Sequence, residues 1–190
     1  VFFTIFPFLW MISTSLKYDA QVFTNPIQWI PNPVNWNNYL RVWQDIPFLT
    51  YYKNTAIVSV CGTALQVLCC SLTAYAFAKL RFFGKNALFL VFLATMMVPW
   101  HTIMIPQYIL MGQFHMTDRL VTLILMQAFS AFGIFLMRQF FMGLPNELRE
   151  AGKIDGAGEF RIFWQIMLPQ ATPGIATLTI FTFIGQWNDY

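Results

Sequence analysis

Charge is what this sequence has least of. Asp, Glu, Lys and Arg make up 10% of its 190 residues, against 57% hydrophobic, whereas a soluble domain carries about 25% charged residues. That deficit places the chain in the membrane class before any motif is read. A net charge of +3 is too small to suggest nucleic acid, and the basic residues are scattered between apolar runs. Cysteine is scarce too. Cys61, Cys69 and Cys70 all lie in one apolar run, which predicts packing residues and not a disulfide or metal site. The two histidines, His101 and His115, have no second ligand at metal-binding spacing. There is no Gly-x-x-x-x-Gly-Lys-Ser/Thr phosphate loop, no His-Glu-x-x-His and no Gly-x-Ser-x-Gly. The chain is therefore not expected to be an ATPase or another enzyme. Ionisable residues are almost missing from the apolar runs, which argues against an ion-coupled transporter or channel.

What is present is a series of long apolar runs, bounded by charges. The first, Val1 to about Leu16, gives at most about 24 Å of helix, short of the roughly 30 Å hydrocarbon core. No basic n-region or cleavage site marks a signal peptide. The reading is a fragment, cut at both ends, whose last residues are Asp189 and Tyr190. Residues 17–53 are rich in Pro and Asn, the chemistry of loops, and their Trp29, Trp36 and Trp43 suit an interface. A second run spans Asn54 to Ala78, closed by Lys79, Arg81 and Lys85. The third starts near Asn86 and is too long for one straight span. Pro99 and Pro106 predict that it kinks or ends between them. The fourth is Leu120 to Met137, between Arg119 and Arg138, and the fifth begins near Gly174. The expected fold is all-α, a polytopic membrane protein with about five spans visible.

Orientation follows from the basic residues. Five alternating spans put Lys79, Arg81, Lys85, Arg138, Arg149, Lys153 and Arg161 on one side, and Lys17, Arg41, Lys53 and Arg119 on the other. The positive-inside rule assigns the larger set to the cytoplasm. The stretch from Arg138 to Pro173 then faces inward, and the Pro/Asn-rich loop outward.

The inward stretch carries the chain's densest chemistry. Pro145 suits a first helical turn, and Glu147 and Glu150 sit where the helix dipole favours negative charge. Asp155-Gly156 is a turn signal, with glycine free to take positive φ. After it Phe160, Phe163, Trp164 and Met167 recur at i, i+3, i+4 and i+7, one apolar helical face, until Pro169 ends the helix. The prediction is two short helices joined at Gly156. The second lies on the membrane domain through its aromatic face, and the first presents Glu147, Leu148, Glu150 and Ala151 to the cytoplasm. Ala151, Gly152, Ala157 and Gly158 are small enough to admit another protein closely. The competing reading is an ordinary amphipathic helix on the membrane surface.

Glu150-Ala151-Gly152, then Gly156, then Ile166-x-Leu168-Pro169 resembles the EAA loop of ABC importer permeases. Every spacing matches, and the departure is Gly152 where that family usually has Ala. Phe135 to Phe141 with Leu144-Pro145, Ile154 to Ala157, Phe160 to Phe163, Phe181 to Asp189, and Trp29 to Pro33 with Asn38-Tyr39 look like its maltose and glycerol-phosphate branch. The resemblance covers nearly the whole chain.

It implies residues 1–190 as one transmembrane permease domain of the six-span type I kind, with a coupling loop at 144–169. Glu147, Leu148, Glu150, Ala151, Gly152, Asp155, Gly156 and Ala157 would couple it to an ATPase partner. Implied partners are a second permease subunit, two nucleotide-binding ATPase subunits, an extracytoplasmic solute-binding protein and membrane lipid. ATP and Mg would be bound by the ATPase subunits, leaving this chain no cofactor or metal. The implied location is the bacterial cytoplasmic membrane, multi-pass, and the implied cargo a sugar or sugar-like solute. Gln127, Gln186 and Asn188 are candidates for the solute pathway, with Gln66 and Gln107 as further span amides. Amide pairing between helices is the competing role for each.

Overall fold

The structure, a computed structural model, describes residues 2–189. Val1 and Tyr190, at the outer ends of the predicted segments, lie outside the described residues. Among those described there are helices and no strand. The chain divides into two compact units, Val1–Lys53 and Asn54–Tyr190.

The first unit holds α1 (Phe2–Ser15), α2 (Asp19–Val22) and α3 (Asn37–Asp45). Residues 17–53 were expected to be loop, yet they contain two of these helices and the first turns of the next. Aromatic edges hold the unit together: Phe6 and Trp10 each meet Trp29 edge-on at 5.5 Å. Such pairs are worth about 0.5–1.5 kcal/mol beyond their area. Asn38 Nδ2 donates to the carbonyls of Ser15 (3.0 Å) and Lys17 (2.8 Å), satisfying acceptors at the end of α1. Trp29, Trp36 and Trp43 are all more than half exposed.

α4 (Phe48–Lys79) runs 32 residues without a break, about 48 Å at 1.5 Å per residue. Among the described residues it is the one unbent helix long and apolar enough to cross a membrane. It starts at Phe48, earlier than the predicted Asn54, because Lys53 falls one turn inside the helix and does not end it. The other candidates are helix pairs bent at a short break: α5 (Lys85–Thr95) with α6 (Trp100–Gln113) at 99°, and α7 (Leu120–Met126) with α8 (Ala131–Gly143) at 49°. α12 (Thr172–Asp189) follows the run Glu159–Gln170 at 79°. With the shorter apolar α1, five apolar segments stand where five were predicted.

Three predicted boundaries need correction. The third segment breaks just before Pro99, but Pro106 lies inside α6 and does not interrupt it; its ring removes one i→i−4 bond, the one to the Thr102 carbonyl, and the helix continues on either side. The fourth segment is not continuous from Leu120 to Met137; it is interrupted at residues 127–130 and continues through Arg138 to Gly143. Arg138 does not close the helix because its guanidinium finds partners there: Nε donates to the Phe77 carbonyl (3.3 Å), and the group lies 4.1 Å from the centre of the Phe89 ring. Pro169 also fails to stop its helix, sitting in the first turn of the short α11 (Leu168–Gln170).

The core of the second unit follows the 3.6-residue period. Cys70, Ala74 and Phe77 of α4 face Ile134, Met137 and Phe141 of α8, with Leu178 of α12. Cys70 is buried and its thiol donates to the Ser130 carbonyl at 3.6 Å, whereas Cys61 is exposed, against the expectation that all three cysteines pack.

Candidate functional site: a tethered loop and a polar cavity

The loop begins where α8 ends at Gly143. α9 (Asn146–Ile154) follows Pro145, and α10 (Glu159–Ile162) begins after the turn. Gly156 makes that turn with φ of +75°, the left-handed region predicted for it and one that L side chains enter at a cost of about 1 kcal/mol or more. A Cβ there would meet nothing within 4 Å.

Beyond α10 the predicted helix changes pitch. Phe163–Met167 form a π-helical turn, so the buried residues are Ile162, Phe163 and Met167. The i, i+3, i+4, i+7 face does not form as predicted. The wider turn rotates the chain, leaving Phe160 (68% exposed) and Trp164 (41%) outside, where their rings meet edge-on at 6.1 Å.

α9 divides cleanly. Leu148 is half-buried against the core and Gly152 is buried. Glu147, Glu150, Ala151, Ile154, Asp155 and Gly156 are exposed, with Ile154 at 87%. Gly152 is therefore not a surface for a partner. A Cβ there would lie 2.8 Å from Ile166 Cδ1 and 3.0 Å from Ile162 Cγ1, so glycine lets α9 settle on those side chains. Ala157 likewise packs half-buried against the core.

One carboxylate ties the loop together. Glu159 accepts from Arg149 on both oxygens, from Lys153 Nζ at 3.0 Å and from the Tyr75 hydroxyl at 2.8 Å. The Arg149 hydrogen bonds lead in holding its carboxyl down at about 2, against the partial desolvation that opposes them. The same bonds raise Arg149. At the loop's start, Lys79 Nζ donates to the Leu144 carbonyl (2.6 Å) and to Asn146 Oδ1 (2.8 Å). Tyr75 and Lys79 are four residues apart on α4, so one turn of that helix holds both ends of α9. Sequence reading missed Glu159 as the hub. The signal was there in Arg149 and Lys153, spaced i, i+4 on one face of α9, followed by a lone acid past the turn.

The amides separate into different settings. Gln127 lines a cavity of about 710 Å³, as do Gln66 and Gln107. Gln186 is buried between α4 and α12: it accepts from Thr63 Oγ1 at 3.4 Å and donates from Nε2 to Gln66 Oε1 at 3.3 Å. Asn188 is exposed and donates to the Ile184 carbonyl of its own helix at 2.8 Å. No cluster of His, Cys, Asp or Glu suited to a metal occurs among the described residues.

Broken apolar helices around one straight helix, with a charged loop tied to its end, define a polytopic helical membrane protein. Residues 66–190 match the family profile of the binding-protein-dependent transport system inner membrane component, and the chain belongs to that family. It is 34% identical, over 98% of its length, to the diacetylchitobiose uptake system permease protein of Streptomyces coelicolor, covering 62% of that protein. It is 36% identical to the sn-glycerol-3-phosphate transport system permease protein of Yersinia enterocolitica, over 90% of the chain and 63% of the relative. A crystal structure of a bacterial ABC transporter involved in import of the acidic polysaccharide alginate contains a similar chain. The TM-score is 0.86 at 29% identity, over 97% of this chain and 65% of that one. The present chain thus spans a little under two thirds of the length of these proteins.

Proposed function

We propose that this chain is the membrane-embedded part of an ATP-driven importer subunit for a sugar or sugar-like solute in the bacterial cytoplasmic membrane. The segment 144–169 would be its coupling loop. The reading is supported by the family and by relatives that are themselves permease proteins of uptake systems. The observation that carries it is the two-sided build of α9: Leu148 and Gly152 seat it inward, while Glu147, Glu150, Ala151 and Ile154 stand open. An amphipathic helix resting on lipid would turn its apolar face to the bilayer. Here that face is already used by the protein, and a free apolar residue, Ile154, sits among carboxylates.

In this reading Glu147, Glu150, Ala151, Asp155 and Gly156 meet an ATPase subunit, and Leu148, Gly152 and Ala157 hold the meeting surface in place. ATP and Mg are bound by that partner and not by this chain, which performs no bond chemistry. With five alternating spans, seven of the eleven basic residues would fall on the loop's side, which supports an inward-facing loop. A second permease subunit, a second ATPase subunit and an extracytoplasmic solute-binding protein complete the assembly. Closure of the ATPase pair would move α9 as a lever, and α4 with it.

Gly156→Val and Glu150→Lys, made in the full-length subunit with its partners and compared at matched membrane levels, test this. Both should insert normally, and both should lose transport and co-purification of the ATPase subunit. Because a Cβ at 156 meets open space within this chain, backbone strain is its whole internal cost. Wild-type transport and co-purification in both variants would remove the coupling role.

A further inference from the structure

Four cations, Lys79, Arg81, Lys85 and Arg138, meet where α4 ends. No ion pair joins any of them to a carboxylate among the described residues. Three of the four are occupied by backbone. Lys79 donates to the Leu144 carbonyl, Lys85 Nζ to those of Ala78 (3.2 Å) and Leu80 (2.9 Å), and Arg138 to that of Phe77. Cations are favoured at the C-terminal end of a helix, and closing α4 accounts for most of these contacts. Arg81 is left over: it is exposed and has no hydrogen-bond or ion-pair partner among the described residues. Both Arg81 and Arg138 act on the Lys85 ammonium, so like charge accumulates that the chain does not neutralise. Glu147 acts on Lys79 without pairing with it, and Arg149, the further cation acting on Lys79, is already paired with Glu159.

A recess of about 370 Å³ lies beside Arg81, walled by that residue with Phe82, Gly84, Lys85, Asn86 and Ala87. None of these is acidic, and all but the half-buried Lys85 are exposed. Gly84 enters α5 with φ of +75°, and no side chain caps that helix, so its first N–H groups stay open to an acceptor. Two aromatic neighbours differ in setting. The Phe82 ring packs 5.8 Å from that of Phe77 and anchors the turn, whereas Phe83 is fully exposed (102%). Depth explains the pair. α4 has no charge between Lys53 and Lys79, 26 residues or about 39 Å of helix, against roughly 30 Å of hydrocarbon and 40–45 Å with headgroups. The turn after Lys79 therefore stands at headgroup level. A soluble anion would satisfy Arg81 and leave Phe83 in water, whereas a phospholipid satisfies both. We propose that residues 80–87 dock an anionic phospholipid of the cytoplasmic leaflet, with its phosphate on Arg81 and the third N–H of Lys85 and with Phe83 among the acyl chains beside it. The inference rests on the importer reading above for the inward orientation of this turn and adds to it an anionic lipid as a partner.

The test uses the complete transporter in nanodiscs of equal parts phosphatidylglycerol and phosphatidylcholine. Phe83 is replaced by the photo-crosslinker p-benzoylphenylalanine, and mass spectrometry reads the ratio of the two lipids in the adducts. With the other residues unchanged, the adducts should favour phosphatidylglycerol by about fivefold or more. Arg81→Gln should reduce that preference about fivefold, the effect of one cation at an anionic surface, and Arg81→Glu should abolish it. Arg81 has no partner within the chain, so neither change removes an internal contact. Arg161→Gln, which removes an exposed cation of the same predicted side, should leave the ratio intact. So should inorganic phosphate added at matched ionic strength. Equal adducts of the two lipids, an unchanged ratio in Arg81→Gln, an equal fall in Arg161→Gln, displacement by phosphate, or adducts to protein in place of lipid would each overturn the proposal. The readout needs no transport, so it can fail while Gly156→Val still loses coupling. Normal transport in Gly156→Val would remove the coupling role and leave the lipid ratio as it was.

Discussion

The Tyr75 hydroxyl donates to Glu159 Oε2 at 2.8 Å, joining the spanning helix α4 to the second helix of the loop across 84 residues of sequence. Tyr75 is almost fully buried, packed 5.7 Å from Phe141 and 5.3 Å from Phe163 between ring centroids. Tyr75→Phe keeps those ring contacts and removes one hydrogen bond. It should lower stability by about 0.5–1.5 kcal/mol, visible as a small drop in Tm of the detergent-purified subunit. Coupling should suffer more than stability. ATP hydrolysis per solute transported should rise, and an unchanged ratio would show that this bond does not carry force.

Glu159 makes the loop sensitive to acid. Its carboxyl is held at about 2 in the folded chain, against an ordinary 4.5. A lowered folded value means that the stabilisation is fully present above about 4.5 and lost as pH falls toward 2. Hydrogen exchange of the α9 amides should therefore be pH-corrected and constant above 5 and lose protection below 4.5. Glu159→Gln should show the weaker protection already at neutral pH. Equal protection in the two proteins at pH 7 would remove Glu159 as the tether.

Gly152 and Ile166 should be energetically coupled. Ala at 152 would gain about 1 kcal/mol of helix propensity but bring a Cβ to 2.8 Å from Ile166 Cδ1. Gly152→Ala alone should thus change Tm little. Ile166→Val alone should cost about 0.5–1.5 kcal/mol. The double variant should be more stable than the sum of the two, because removing Cδ1 frees the space. Simple additivity would mean that α9 does not rest on this side chain.

Gln186 is expected to act on structure and not on cargo. Its amide joins Thr63 and Gln66 between helices, and such bonds average about 0.6 kcal/mol in membranes. Gln186→Leu should lower Tm modestly and leave KM for solute within about twofold. A large KM effect without a stability change would return Gln186 to the solute pathway.

Much of this was legible in the sequence where chemistry is local. Pro99 marks the sharpest break because proline removes a donor and restrains the residue before it. Gly156 announces its left-handed turn beside Asp155. The interruption at 127–130 was not legible: Gln127, Ala128, Phe129 and Ser130 include neither Pro nor Gly, and only Ser130, the cap of α8, hinted at a helix start. The π turn at Phe163–Met167 escaped as well, since one extra residue per turn leaves no compositional mark; of the predicted face Phe163 and Met167 are buried, while Ile162 is buried in place of Phe160 and Trp164. Arg149 and Lys153 at i, i+4 hinted at an acidic partner such as Glu159, but its bond to Tyr75, 84 residues away, needed tertiary proximity, which periodicity does not contain.

α4 differs from its neighbours in having no break over 32 residues. Gln66, at the cavity, and Tyr75, at the loop, lie on this one helix, nine residues or about 14 Å apart along its axis. A stiff rod cannot turn at one end and stay still at the other. On the proposed coupling role, rotation imposed on the loop by an ATPase partner would swing the Gln66 amide through the same angle. A solute resisting that swing would then be felt at the loop without any relay of side chains between them.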